Sequence, residues 1–266
     1  MDKRPIGVFD SGVGGLTVVK QVMKVLPNED IIYFGDTARV PYGSKSKETV
    51  KKFSSQIIRF LITKEVKAII IACNTVSSNC YEELTEEFDI PIIEVVGPGV
   101  SSCVSITKNK KVGVIGTEAT IRSKAYEKKL KAIDSEISVY SKACPLFVPI
   151  AEEGLGESEI AVLTAKEYLK ELVQMNIDCI ILGCTHYPLL KSCIAKVVGE
   201  NVKIVDPAMA TAQKMKSFLK ENNMLNDKKG GDYCFYASDV ADNFDSICTT
   251  VLNRIYKAKQ ADIEKY

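Results

Sequence analysis

The 266 residues are 46% hydrophobic and 26% charged, and 35 Lys plus Arg stand against 34 Asp plus Glu, a net charge of +1. That balance excludes the basic footprint of a nucleic-acid binder and the charge bias of a membrane-surface protein. No apolar run approaches the roughly eighteen residues a membrane helix needs, and the apolar content fills one large core or two ordinary ones.

Taken in chain order, short β-branched runs alternate with longer helix-period segments. Strands are predicted at 6–9 (IGVF), 31–34 (IIYF), 67–72 (KAIIIA), 91–95 (PIIEV), 112–115 (VGVI), 136–140 (EISVY), 178–182 (DCIIL), 202–205 (VKIV) and 233–236 (YCFY). Helices are predicted near 14–26, 46–63, 76–88, 119–131, 157–175, 187–198, 207–222 and 240–256, and NDKKGGD (226–232) reads as a flexible turn. Runs such as AIII and CIIL lack polar alternation, which suits strands covered on both faces. Strand–helix alternation of this kind predicts an α/β fold with mostly parallel sheets.

VKAIIIACNT (66–75) aligns without a gap on IDCIILGCTH (177–186), and IGVFDS (6–11) on VGVIGT (112–117). Parallel strands can look alike without duplication, but the nearly equal offsets, 111 and 106 residues, suggest two copies of one unit. The expected architecture is two pseudo-symmetric α/β lobes, each a mostly parallel sheet flanked by helices, with the site in the cleft between them. Residues 1–97 plus 207–266 would form the first lobe and 98–206 the second.

The start, MDKRPIGVFD, lacks the apolar segment of a signal peptide, and the nine cysteines are odd in number with no C-x-x-C pair. Cys179 and Cys234 lie inside apolar runs, where a thiol packs as a small hydrophobe. These features predict a reducing, cytoplasmic setting with mostly free thiols. With one histidine in the chain, His186, no tetrahedral zinc set is expected, nor any other metal site.

In open α/β sheets ligands bind beyond the carboxyl ends of strands. Three polar clusters fall there: Asp10-Ser11-Gly12, Cys73-Asn74-Thr75 and Cys184-Thr185-His186. DSGVGGLTVV fails the G-x-G-x-x-G spacing and lacks a Walker lysine, which leaves either an anion-binding helix N-terminus or a plain helix cap. Each of the two cysteines is followed by hydrogen-bonding residues and a helix start, which would lower a thiol's pKa. A buried cysteine after a strand is also an ordinary packing residue. ARVPYGSKS (38–46), with Pro41-Tyr42-Gly43-Ser44, is either a surface turn with an N-cap or a loop laid over a small anion. FVPIAEEGLGESE (147–159), carrying Glu152, reads as solvated loop.

Together, GVFDSGVGGLTV, DTARVPYGSKS, IACNTVSS, GVIGTEATI and ILGCTHYPLL resemble the glutamate racemases of the cofactor-independent aspartate/glutamate racemase superfamily, in order and spacing along nearly the whole chain. The resemblance implies that Cys73 and Cys184 are paired acid and base, Cys73 exchanging the proton of D-glutamate and Cys184 that of L-glutamate. It implies that Asp10 and His186 assist the neighbouring thiols and also meet substrate. Ser11, Tyr42, Gly43, Asn74, Thr75 and Thr185 would hold the substrate's charged groups, and Thr117, Thr120 and Glu152 match further site positions. No cofactor is implied, and D-glutamate would serve bacterial peptidoglycan precursor synthesis. A homodimer is the expected assembly.

The chemistry agrees. Inverting an α-carbon requires removing a proton from one face and returning one to the other, which two fixed monoprotic thiols can do. No pyridoxal lysine motif is evident, so fixed donors around the α-carboxylate must carry the developing charge. Three rivals stand beside this reading: an aspartate or hydantoin racemase of the same superfamily, a Cys184–His186 thiol hydrolase, and a non-catalytic amino-acid-binding protein.

Overall fold

In a computed structural model of the chain, which describes residues 1–239 and 242–266, every paired strand runs parallel to its neighbours. The strands are β1 (Ile6–Asp10), β2 (Ile31–Gly35), β3 (Ala68–Ile71), β4 (Ile92–Glu94), β5 (Lys111–Gly116), β6 (Ser138–Ala143), β7 (Cys179–Gly183), β8 (Lys203–Val205), β9 (Tyr233–Ala237) and β10 (Ala258–Gln260). They form two sheets, ordered β10-β9-β2-β1-β3-β4 and β6-β5-β7-β8.

The internal repeat survives in the register. β1 lies between β2 and β3 as β5 lies between β6 and β7, with Ile6 opposite Ala68 and Val112 opposite Cys179. These are the positions that the two sequence alignments equate. β1, β3 and β7 are buried throughout, which is why their sequences show no polar alternation. The chain after Pro207 returns to the first sheet, where β9 pairs with β2.

Both sheets are doubly wound. Leu16–Val25, Pro207–Glu221 and Asp242–Leu252 cover one face of the larger sheet through Val18, Val22, Met215, Leu219 and Phe244. Lys47–Ile62 and Tyr81–Glu87 cover the other. The smaller sheet is sandwiched between Glu159–Gln174 with Lys191–Val198 and Val96–Ile106 with Ala125–Ile133. Local chemistry sets the sharper boundaries: Ser46, Ser158 and Asp206 each accept a backbone N–H at the start of their helices.

Several elements differ from the sequence reading. The helix expected at 76–88 is two, Asn74–Asn79 and Tyr81–Glu87, meeting at Cys80. That at 119–131 breaks at Lys124, whose φ of 56° no helix interior accepts. The one expected at 187–198 opens with a 3-10 turn, Tyr187–Leu190. Of 240–256, Asp242–Leu252 is helical and residues 240 and 241 lie outside the described residues.

Helix Val96–Ile106 was not expected, because VGPGVSSCVSI has two glycines and a proline. Tertiary context overrides that propensity: the Glu94 carboxylate accepts the N–H groups of Val96 and Gly97. The solvated loop expected from 147 is instead a helix, Phe147–Glu152, with Phe147, Ile150 and Ala151 buried. The NDKKGGD turn is tied down, Gly231 N–H to Pro27 O at 2.9 Å and Asn226 N–H to Glu29 Oε1 at 2.7 Å. Cys73, Cys80, Cys103, Cys144, Cys179, Cys184, Cys193 and Cys234 are free thiols. Among the described residues, no helix is long and apolar enough to cross a membrane.

Candidate active site

Cys73 follows β3 after one residue, Ala72, and Cys184 directly follows β7, so the repeat delivers each thiol from the carboxyl end of the matching strand of its own sheet. Both side chains are buried and line one small cavity of about 20 Å³, walled also by Ser11, Val40, Pro41, Tyr42, Gly43, Asn74, Thr75, Thr117, Val148, Thr185 and His186.

On the Cys73 side, the thiol donates to Ser11 Oγ at 3.7 Å. Asp10, wholly buried at the end of β1, accepts Gly15 N–H at 2.8 Å and the Thr185 hydroxyl at 3.3 Å. The glycine-rich turn therefore does offer an anion site at a helix N-terminus, but its anion is the protein's own Asp10. The helix start beside Cys73 does not lower the thiol's pKa as the sequence suggested. Burial pushes it up, the Asp10 charge pushes the same way, and both outweigh the backbone N–H of Val76 and the Ser11 hydroxyl. Asp10 is itself raised by burial, against the pull of His186 and the Gly15 N–H.

On the Cys184 side, His186 Nδ1 stands 3.7 Å from the sulfur and Nε2 stands 3.0 Å from Glu152 Oε1. Burial opposes charge on this imidazole, yet the hydrogen bonds to Cys184 and Glu152, with Asp10 nearby, push His186 up to about 10. That shift favours the imidazolium at neutral pH. The two thiols thus have unlike surroundings: a cation faces Cys184, and Asp10 stands behind Cys73.

Bare backbone lets the halves approach closely. A Cβ on Gly14 would lie 2.5 Å from Thr185 Oγ1 and 2.7 Å from His186 Nδ1, and one on Gly43 would lie 2.6 Å from Thr117 Cβ. Hydroxyls fasten the contact, with Thr75 Oγ1 to Thr117 Oγ1 at 2.9 Å and the Thr17 hydroxyl donating to Thr185 O at 3.1 Å.

Not every expected site residue stands on the cavity wall. Asp10 lies behind Cys73, and Thr120 lies behind Thr117, hydrogen-bonded to it at 3.0 Å. Ser44 and Glu152 line an adjoining outer cavity of about 350 Å³ with Pro41, Gly43, Thr117 and Val148. The Tyr42 hydroxyl donates to buried Asp36, which also takes Arg39 Nε at 2.7 Å. Val40, Val148, Asp36 and Arg39 escaped the sequence reading. The two valines carry no chemical mark, but an aspartate between a strand and a turn-rich loop was a usable signal.

The Asp/Glu/Hydantoin racemase family model matches residues 14–215. A glutamate racemase of Thermoanaerobacter pseudethanolicus is 51% identical over all of both chains. The structure of a Francisella tularensis glutamate racemase in complex with D-glutamate is 47% identical, with TM-score 0.94 and both chains fully covered. A glutamate racemase isoform of Bacillus anthracis is 38% identical, with TM-score 0.95 over 98% of each chain. The fold and these likenesses agree, and the chain belongs to the Asp/Glu/Hydantoin racemase family, among its glutamate racemases.

Proposed function

We propose that the protein interconverts L- and D-glutamate by two-base proton transfer at Cα, without a cofactor. One observation carries the reading: two thiols from equivalent positions of the two halves wall a single cavity. Burial and Asp10 disfavour negative charge on Cys73, which suits that residue as the thiol that returns a proton. With L-glutamate the step begins at Cys184. Cys184 takes the Cα proton, the C–H electron pair passes into the α-carboxylate system, and the Cys73 thiol returns a proton to the opposite face. Asp10 and His186 then serve proton exchange at Cys73 and Cys184.

Donors fixed on the carboxylate must offset the low acidity of Cα. Asn74, Thr75, Thr185 and backbone N–H groups suit that role, at about 3–4 kcal/mol each. Ser11, Tyr42 and Gly43 would hold the remaining charged groups, with Thr117 and Thr120 bracing Thr75. Residues 1–97 with 207–266 and residues 98–206 act as the two lobes that bring the thiols together. D-glutamate made this way would enter peptidoglycan precursor synthesis in the cytoplasm, from a homodimer. The relatives named as glutamate racemases and the free thiols support that setting.

The test is L-glutamate in deuterated water without added cofactor. Deuterium is expected at Cα as the circular dichroism decays, and an inert Cα defeats the proposal. Cys73→Ala and Cys184→Ala are each expected to cut racemisation at least about a thousandfold. The Cys184–His186–Glu152 chain also has the order of a thiol hydrolase. Under that second reading Cys73→Ala keeps most activity and an acyl-enzyme burst appears.

A further inference from the structure

Asn74 opens the helix after Cys73, and Tyr126 lies in the helix Ala125–Ile133 that covers the other sheet. Tyr126 is buried, its ring seated against bare backbone. A Cβ on Gly183, the residue before Cys184, would lie 3.3 Å from Tyr126 Cε2, and one on Gly99 would lie 3.6 Å from Cε1. From that slot the hydroxyl crosses between the halves and donates to Asn74 Oδ1 at 2.6 Å.

We propose that Tyr126 is a positioning residue for the reaction: it fixes the Asn74 carboxamide so that the NH₂ group faces the cavity as a donor to the substrate's α-carboxylate. This rests on the two-base reading, in which that carboxylate gathers negative charge as Cα loses its proton. A carboxamide has a donor end and an acceptor end of nearly equal shape, and only the donor end helps an anion. Unassisted, the group can turn either way. The acceptor end would then meet the carboxylate oxygen to oxygen.

The direction of the bond is determined by the partners. Burial holds the Tyr126 phenol well above its ordinary range, so its proton stays on the oxygen. Among the described residues, Asn74 Oδ1 is the acceptor this hydrogen reaches. The flipped amide would strand the hydrogen in a buried place, which is the costly alternative. Asn74 Nδ2 makes no hydrogen bond to a described residue, and Asn74 stands on the cavity wall. Because the phenol and the amide belong to different halves, the donor is set only when the halves meet.

Tyr126→Phe removes the hydroxyl and keeps the ring. Cα deuteration of L-glutamate is expected to show kcat about tenfold lower, with KM within about threefold. In an Asn74→Ala background the same substitution is expected to change the rate by less than about twofold, since no amide remains to be oriented. A readout free of turnover is the Asn74 side-chain NH₂ pair in a ¹⁵N–¹H spectrum, which should move in Tyr126→Phe. If the unmodified chain racemises nothing, the two-base reading itself fails. With an active chain, three results overturn the positioning role alone: Tyr126→Phe at wild-type speed, the same loss in both backgrounds, or unmoved Asn74 NH₂ resonances. A variant that simply loses its fold slows both backgrounds alike and counts with the second.

Discussion

His186 shows how a single group's charge is decided by competing effects. Burial alone would leave a neutral imidazole. Cys184 at 3.7 Å, Glu152 at 3.0 Å and the Asp10 charge win instead, and the pKa stands at about 10. Because this folded value lies above the unfolded value of 6.5, the group's contribution to stability is full below about pH 6.5 and lost as pH rises through about 10. With one histidine in the chain, its ring resonances need no assignment. We expect no ring titration between roughly pH 6 and 8 in the unmodified protein. Glu152→Gln keeps an acceptor oxygen but removes the anion, so the midpoint should fall by about one unit or more, and the melting temperature should drop more at pH 6.5 than above pH 10. A midpoint near the ordinary value in the unmodified protein would sink the imidazolium. Cys73, Cys184 and His186 were legible in the sequence because thiol and imidazole are rare and stand at strand ends. The state of each was not, since the charge on His186 depends on Glu152, thirty-four residues away on a helix that read as loop.

Among the elements, the strands were the most legible part. Continuous β-branched runs buried on both faces leave little choice of structure, and β1, β3 and β7 fall within a residue or two of expectation. Helix Val96–Ile106 and strand β10 were not legible, for opposite reasons. The helix has poor propensity and is held by Glu94 at its start. The strand, Ala258–Gln260, is polar and is recruited by the edge of β9. The turn Tyr42–Ser44 carries a testable consequence. Gly43 is there because a side chain would enter Thr117, 2.6 Å from its Cβ, and the contact is backbone against a β-branched residue that cannot swing aside. Gly43→Ala should therefore push this turn away from Thr117 while leaving the cores of both sheets untouched. The expected result is a kcat/KM loss of about a hundredfold with a melting temperature within about 3 °C of wild type. Near-normal turnover would mean that the turn does not need to touch Thr117 during the reaction.

At the scale of the whole molecule, the closeness of the halves poses a problem of access. The cavity between the thiols holds about 20 Å³, room for a single water, and a dicarboxylic amino acid needs several times that. A site this tight suits the chemistry, since excluding water strengthens every fixed donor around the carboxylate. It also requires that the site open to load. The chain crosses between the sheets through two helices, Val96–Ile106 and Pro207–Glu221, each capped by an acidic residue at its start, Glu94 and Asp206. These starts touch, for a Cβ on Gly99 would lie 2.9 Å from Pro207 Cγ, so the crossings form one narrow joint rather than two separate tethers. The contacts opposite that joint are few: threonine hydroxyls, glycine backbone and the Thr185 hydroxyl on the Asp10 carboxylate. Opening about the joint thus breaks a few hydrogen bonds, about 1 kcal/mol for each neutral one and about 1.5–3 kcal/mol for the Thr185 hydroxyl on Asp10, and leaves both cores whole. Small-angle X-ray scattering should find the ligand-free protein with a larger radius of gyration than this closed structure has, and saturating D-glutamate should bring the two into agreement. Superimposable curves with and without ligand would mean that substrate enters through side-chain movement at the outer cavity alone, and the joint would then be a fixed strut.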